Sequence, residues 1–327
     1  MLAAVLPATA EIFGRAMVMP NLKVPVTTAR AAADYRARIH KATPPGSNFK
    51  PLMTCYLTES LDPADLAAGY RDGLFSAAKY YPAGATTNSA AGVTGMRRIY
   101  RLLDLLQSIG MPILIHGEVV DKDVDVFDRE AVFIERVLGP LRLDLPALKI
   151  VFEHVTTAEG VDFVESASGP TAATITPHHL MINRNAMFDG GLRPHAYCLP
   201  VLKRERHRRA LRAAATSGNP RFFIGTDSAP HLRNLKEHDC GCAGIFNAPT
   251  ALGCYAQVFD EENRLENLEG FTSHHGPAFY SLPVNESRVV LTRAVDVQCP
   301  QELSTSMGTV RVFLPPGGMS WRARLLI

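Results

Sequence analysis

Short apolar runs with the composition of strands recur along the chain, and longer segments of helical character lie between them. That alternation predicts parallel strands joined by crossover helices. The runs are residues 15–20 (RAMVMP), 51–57 (PLMTCYL), 75–81 (FSAAKYY), 112–116 (PILIH), 148–155 (LKIVFEHV), 172–176 (AATIT) and 221–227 (RFFIGTD). Helices are predicted over 28–40, from residue 60 onward, where Asp62 suits the cap and Pro63 the first turn, and over 96–109, stopped by Gly110.

Seven strands are awkward for such a chain. A closed parallel barrel needs eight for its side chains to fill the interior, and an open sheet leaves two unpaired edges. Residues 2–13 also read as a helix, ahead of the first strand. Because a helix follows a strand in a βα repeat, a strand is expected before it. The predicted fold is therefore α/β, a TIM-type (β/α)8 barrel whose first strand is missing from this sequence. Its 327 residues are expected to form one domain, with an irregular tail from about residue 286.

Composition narrows the setting. With 46% hydrophobic and 20% charged residues the chain is an ordinary globular one, and a net charge of +2 is too mild for nucleic-acid binding. Lys203, Arg204, Arg206, Arg208, Arg209 and Arg212 surround Glu205 and His207, and are expected to form the solvated face of an exposed helix. The six cysteines lack the paired spacing of a zinc ribbon or a disulfide framework, which fits a reducing cytoplasm. Cys240 and Cys242 are expected to be small buried loop residues. No run approaches the roughly 20 apolar residues of a membrane span, and no basic leader precedes the apolar start, so a cytoplasmic protein is expected.

The chemistry lies at the strand ends, where the active sites of such barrels gather. In order these positions are Asn21, Tyr56, Lys79, His116, His154, His178 with His179, and Asp227. Each alone has a structural reading: a hydrogen-bonded histidine, a lysine paired with a carboxylate, an aspartate capping the next helix. Together on one face they fit a shared chemistry better. Two neutral imidazoles and a carboxylate are good ligands for Zn²⁺ or similar ions. A lysine in an apolar strand has its ammonium form disfavoured, and a neutral amine can take up carbon dioxide to become an anionic carbamate. Such a group can bridge two metals, which together polarise an amide carbonyl.

These residues sit in segments that resemble the dihydroorotases of bacterial pyrimidine synthesis, of the amidohydrolase superfamily. The segments are MVMPN at 17–21, LMTCYLT at 52–58, AAKYYP at 77–82, HGE at 116–118 and FEH at 152–154. They continue with ITPHHL at 175–180, RPH at 193–195, GTDSAPH at 225–231, CGCAG at 240–244 and FNAPT at 246–250. The likeness runs from Met1 to at least Asn285 and fades over the tail. It implies a binuclear zinc centre that interconverts N-carbamoyl-L-aspartate and L-dihydroorotate, in a homodimer. Lys79 would be the carboxylated bridge, and His116 and His154 would hold one metal. Asp227 would bind the other metal and act as general base. Asn21 and His231 match positions that grip the substrate carboxylate, and Leu199 and Ala243 match backbone contacts to the ring amide. Thr86 and Thr87 lie in a loop that resembles a mobile lid.

The sequence departs from this family at one place. Its members begin with a strand carrying His-x-His and an arginine, which supply two ligands to the second metal and a clamp for the carboxylate; this sequence contains no such motif. In the family, the segment that follows that strand resembles the present residues 1–7, so a truncated or wrongly assigned start is expected, with an incomplete second site and impaired activity. In-frame codons upstream test this. Two other functions remain open at this point: a non-catalytic dihydroorotase-like scaffold subunit, and a cyclic amidohydrolase of hydantoinase type. Retention of the ligand set counts against the first, and Asn21 with His231 against the second.

Overall fold

The computed structural model describes residues 1–295 and 297–326. Its centre is a parallel sheet whose strands follow chain order, β1 (Arg15–Val18), β2 (Lys50–Tyr56), β3 (Phe75–Tyr80), β4 (Ile113–Ile115), β5 (Ile150–Phe152), β6 (Thr171–Ile175) and β7 (Phe222–Ile224). Every run expected to be a strand is one, with most trimmed at their ends and β2 and β6 shifted one residue towards the N-terminus. The helices follow suit. Helix Ala29–Ala42 starts where Thr28 accepts the Ala31 N–H, helix Pro63–Arg71 starts on the Asp62 cap, and Gly110 ends helix Tyr100–Ile109 at a φ of +69°. Residues 96–99 form a 3₁₀ turn ahead of that helix, and the first helix is Leu2–Ala10, shorter than expected.

Successive side chains of a strand point to opposite faces. On β3 to β7 one face carries Ala77, Leu114, Val151, Ala172 and Phe223, which form a cluster of their own inside the curl of the sheet, with Met17 and Met19 of the first strand region against it. The other face carries Ala78, Ile113, Ile115, Ile150, Phe152, Ala173 and Ile175, which join the large core under the helices. The register pairs Lys79 with Leu114, Leu114 with Val151 and Val151 with Ala172. The next inward positions after the cluster are therefore Lys79, His116, Glu153, Thr174 and Gly225, at the carboxyl ends of neighbouring strands. By this register His116, Glu153 and Thr174 stand one pleat above Leu114, Val151 and Ala172, while Lys79 is level with Leu114 and Gly225 one pleat above Thr174.

The sheet's two edges are β1 and β7, and both border one cavity of about 1270 Å³, so the sheet curls towards closure. Among the described residues no helix is long and apolar enough to cross a membrane.

Three expectations are corrected. The tail is not irregular: β8 (Arg288–Arg293) pairs antiparallel with β11 (Trp321–Leu326), and β9 (Glu302–Thr305) with β10 (Gly308–Arg311). Their residues are mostly exposed or half-buried, so no strong apolar run announces them. The basic segment is not one solvated face. Lys203, His207 and Arg212 are buried, Lys203 donating to the Val201 carbonyl and Arg212 pairing with Glu261 and Glu262, because helix Glu205–Thr216 packs its inner side against neighbouring elements. Cys240 is exposed and Cys242 half-buried, since their loop lies at the surface.

One buried carboxylate fixes the chain just beyond β5. Glu130 is fully buried and accepts the N–H groups of Thr156 (2.9 Å) and Thr157 (2.8 Å) and their hydroxyls at 2.6 and 2.5 Å. Burial pushes its pKa up, opposed by Lys203 and these hydrogen bonds. Glu130→Ala orphans this set of donors and is expected to cost about 3 kcal/mol or more in urea unfolding at pH 7. A loss near zero would mean that the turn after His154 is held by something else.

Candidate active site

Lys79 is the last residue but one of β3, with 1% of its surface exposed and its ammonium 5.1 Å from the centre of the Tyr81 ring. Burial lowers its pKa, against the raising effect of Glu153 and Asp227. The neutral amine is thereby brought closer to reach, as the sequence led one to expect.

The two histidines meet across β4 and β5, with ring centres 4.9 Å apart in an edge-on arrangement. His116 Nε2 lies 2.9 Å from Glu118 Oε2, and both groups are buried. The carboxylate accepts, so Nε2 carries the proton and Nδ1 is left with its lone pair, an arrangement that fixes a ligand's tautomer. His154 has a φ of +44°, outside the strand region, and its Nδ1 is buried without a partner. Burial, then the neighbouring His116, Lys79 and His179, hold its pKa well below the ordinary histidine value, so it is a neutral base at physiological pH. Its backbone N–H donates to Thr174 Oγ1 (2.7 Å), which donates in turn to Glu153 Oε2 (2.9 Å).

Asp227 follows β7 with a φ of +42°. Desolvation raises its pKa, while Lys79 and His116 lower it. Its ionisation therefore depends on positive charge nearby.

Lys79, His116, His154 and Asp227 all line the cavity bordered by β1 and β7. So do Asn21, Thr86, Thr87, Leu199, His231 and Ala243, the positions expected to meet substrate. The loop carrying Thr86 and Thr87 is tied to both rims. Asn21 Nδ2 donates to the Thr87 carbonyl (3.0 Å), Asn88 Nδ2 to the Asn21 carbonyl (2.9 Å), and Thr87 Oγ1 to the Ala243 carbonyl (3.4 Å). His231 is hydrogen-bonded to the backbone of Ala243, and burial lowers its pKa.

His178 and His179, also at a strand end, do not reach this cavity's wall. They sit with Cys198 in a buried group whose donor atoms lie within 4.8 Å of one another, the one such set among the described residues. Its hydrogen bonds favour a structural role. His179 pairs with Thr176 Oγ1 at 2.7 Å and with the Pro200 carbonyl at 3.1 Å. A carbonyl only accepts, so Nε2 bears the proton and offers Cys198 no lone pair.

Sequence reading missed Glu118, Glu153, Thr174 and Lys236. The two acids stand inside quoted motifs, and Glu153 is in phase with inward-facing Val151, so the pleat alone could have found it. Lys236 carries no local signal, since its partners are backbone carbonyls.

The amidohydrolase family model matches residues 2–285. A dihydroorotase of Parasynechococcus marenigrum (strain WH8102) is 64% identical over 298 residues, covering 91% of this chain and 87% of that protein. One from Cupriavidus taiwanensis is 57% identical over 323 residues, covering 99% and 94%. Among solved structures, the Saccharomyces cerevisiae dihydroorotase in complex with 5-fluoroorotic acid superimposes with a TM-score of 0.88 at 32% identity, over 99% of this chain and 93% of that one. An L-hydantoinase from Arthrobacter aurescens shares the fold, at a TM-score of 0.76 and 15% identity over 91% and 73% of the two chains.

The Thr174 hydroxyl is the joint between His154 and Glu153. Thr174→Val keeps the shape and leaves the His154 N–H and a buried carboxylate unpartnered, so urea unfolding is expected to show a loss of about 1–3 kcal/mol. An unchanged midpoint would mean that this hydroxyl does not set the His154 turn.

Proposed function

We propose, for a chain that belongs to the amidohydrolase family and within it to the dihydroorotases, that it interconverts N-carbamoyl-L-aspartate and L-dihydroorotate by making and breaking one cyclic amide bond, in pyrimidine synthesis. The observation that carries this reading is one cavity lined by Lys79, His116, His154 and Asp227 together with Asn21 and His231.

The residues fit a bound divalent cation, zinc in the first instance. The buried and unpartnered Nδ1 of His154, the Nδ1 lone pair left to His116 by Glu118, and a desolvated lysine amine are donors without an acceptor of their own. Lys79, carboxylated on its amine, with His116 and His154 would hold one cation, and Asp227 with the Lys79 carbamate would serve a second. Four such side chains fill one site and leave the other short of ligands, which is the basis for expecting slow turnover from these residues alone. When bound, the cations supply Lewis-acid polarisation of the amide carbonyl and lower the pKa of water.

The chain's own groups do the rest. Asp227 takes a proton from the attacking water and returns it to the leaving nitrogen. That role needs the carboxylate ionised; burial raises its pKa, and a bound cation would favour the ionised form. Asn21 and His231 bind the substrate carboxylate, backbone groups of Leu199 and Ala243 meet the ring amide, and the loop bearing Thr86 and Thr87 closes off water.

Metal analysis is expected to find one tightly held cation per chain, with Glu118→Gln weakening it about 10- to 100-fold by freeing the His116 ring. Hydrolysis assays are expected to favour L-dihydroorotate over hydantoin. Equal use of hydantoin, or cation binding indifferent to Glu118, would overturn this reading.

A further inference from the structure

Lys236 ends the short helix Arg233–Lys236 with only 4% of its surface exposed, and it does not line the cavity. Its ammonium donates to the carbonyls of Tyr197 (3.0 Å), Cys242 (2.9 Å) and Gly244 (2.6 Å). An ammonium has three hydrogens, and all are used. None of the ion pairs among the described residues involves it, so the buried cation is held by carbonyl dipoles alone. Burying a charge in this way is expensive, and an apolar side chain of similar length would pack there without the desolvation cost.

What the charge achieves is a join. Tyr197 lies two residues before Leu199, and Cys242 and Gly244 flank Ala243; the Gly244 N–H also donates to the Tyr197 carbonyl at 3.0 Å. Leu199 and Ala243 come from segments far apart in the chain, and both line the cavity. We propose that Lys236 is a positioning residue that locks the 197–199 and 242–244 segments into one surface and so sets the affinity for the ring amide of the substrate. The second half of this rests on the dihydroorotase reading. Because the amine acts behind the cavity wall and touches neither substrate nor the proposed cation ligands, its loss moves substrate affinity and leaves the cation site alone. Burial lowers the Lys236 pKa to about 8, against Cys198 and Cys242, so the lock is held by a group near its titration point.

The test uses Lys236→Met and Lys236→Ala in the full cation-loaded chain. Three quantities are read: cation content, the dissociation constant for L-dihydroorotate by calorimetry, and amide hydrogen exchange over residues 197–199 and 242–244. The expected result is unchanged cation content, affinity for L-dihydroorotate weaker by about tenfold or more, and faster exchange confined to the two segments. Ethylammonium is expected to restore binding in Lys236→Ala, which a general loss of stability would not allow. Unaltered affinity in both variants overturns the proposal. If the unsubstituted chain binds no L-dihydroorotate, the substrate reading fails and the affinity half of the proposal with it, while the lock is still decided: faster exchange in both segments supports it and unaltered exchange overturns it.

Discussion

The register of the parallel sheet is the constraint on which everything else depends. Side chains alternate between two faces, and neighbouring strands are paired so that Leu114, Val151 and Ala172 fall level with Lys79, and Phe223 falls level with Thr174. Two residues beyond the apolar inward-facing position of β3, β4, β5 and β6, the same alternation delivers an amine, an imidazole, a carboxylate and a hydroxyl to the wall of one cavity. A slip of one residue in any strand would send its polar end into the core under the helices. Site and fold are therefore specified by the same pairing.

Desolvation does most of the chemical work at that wall. It lowers the pKa of Lys79 and His154 and raises that of Glu153 and Asp227, so burial favours the neutral form of each group. Around this ring stands a set of hydrogen bonds that leave few polar groups idle. Glu118 holds His116, Thr174 joins His154 to Glu153, and Glu130 fixes the turn beyond. The unpartnered Nδ1 of His154 stands out against that background.

The strands and the ring of ligand-type residues were legible because both leave local marks, apolar runs of strand length and polar residues at their ends. Lys79, His116, His154 and Asp227 could be assigned to one mouth before any coordinates. What was illegible is non-local. Lys236 is bound by carbonyls of residues 197, 242 and 244, and no spacing in the sequence encodes that meeting. Lys203, His207 and Arg212 looked like surface charge because their partners, the Val201 carbonyl and Glu261 with Glu262 among them, are set by packing. The tail escaped because its strands are mostly exposed or half-buried, with no strong apolar run to read.

That tail is tethered to the loop beside the site. The Phe313 N–H donates to the Phe246 carbonyl at 2.7 Å, the Thr250 hydroxyl donates to the Phe313 carbonyl at 2.7 Å, and Val310 and Val312 pack with Leu232, Phe246 and Ala248. Phe246 is two residues beyond Gly244, and Leu232 one beyond His231. Residues near the end of the chain thus act as a brace for the part of the cavity wall that carries His231, Ala243 and Gly244. Loosening of the packing at Val310 or Val312 would therefore be transmitted to the cavity wall although neither residue lines it.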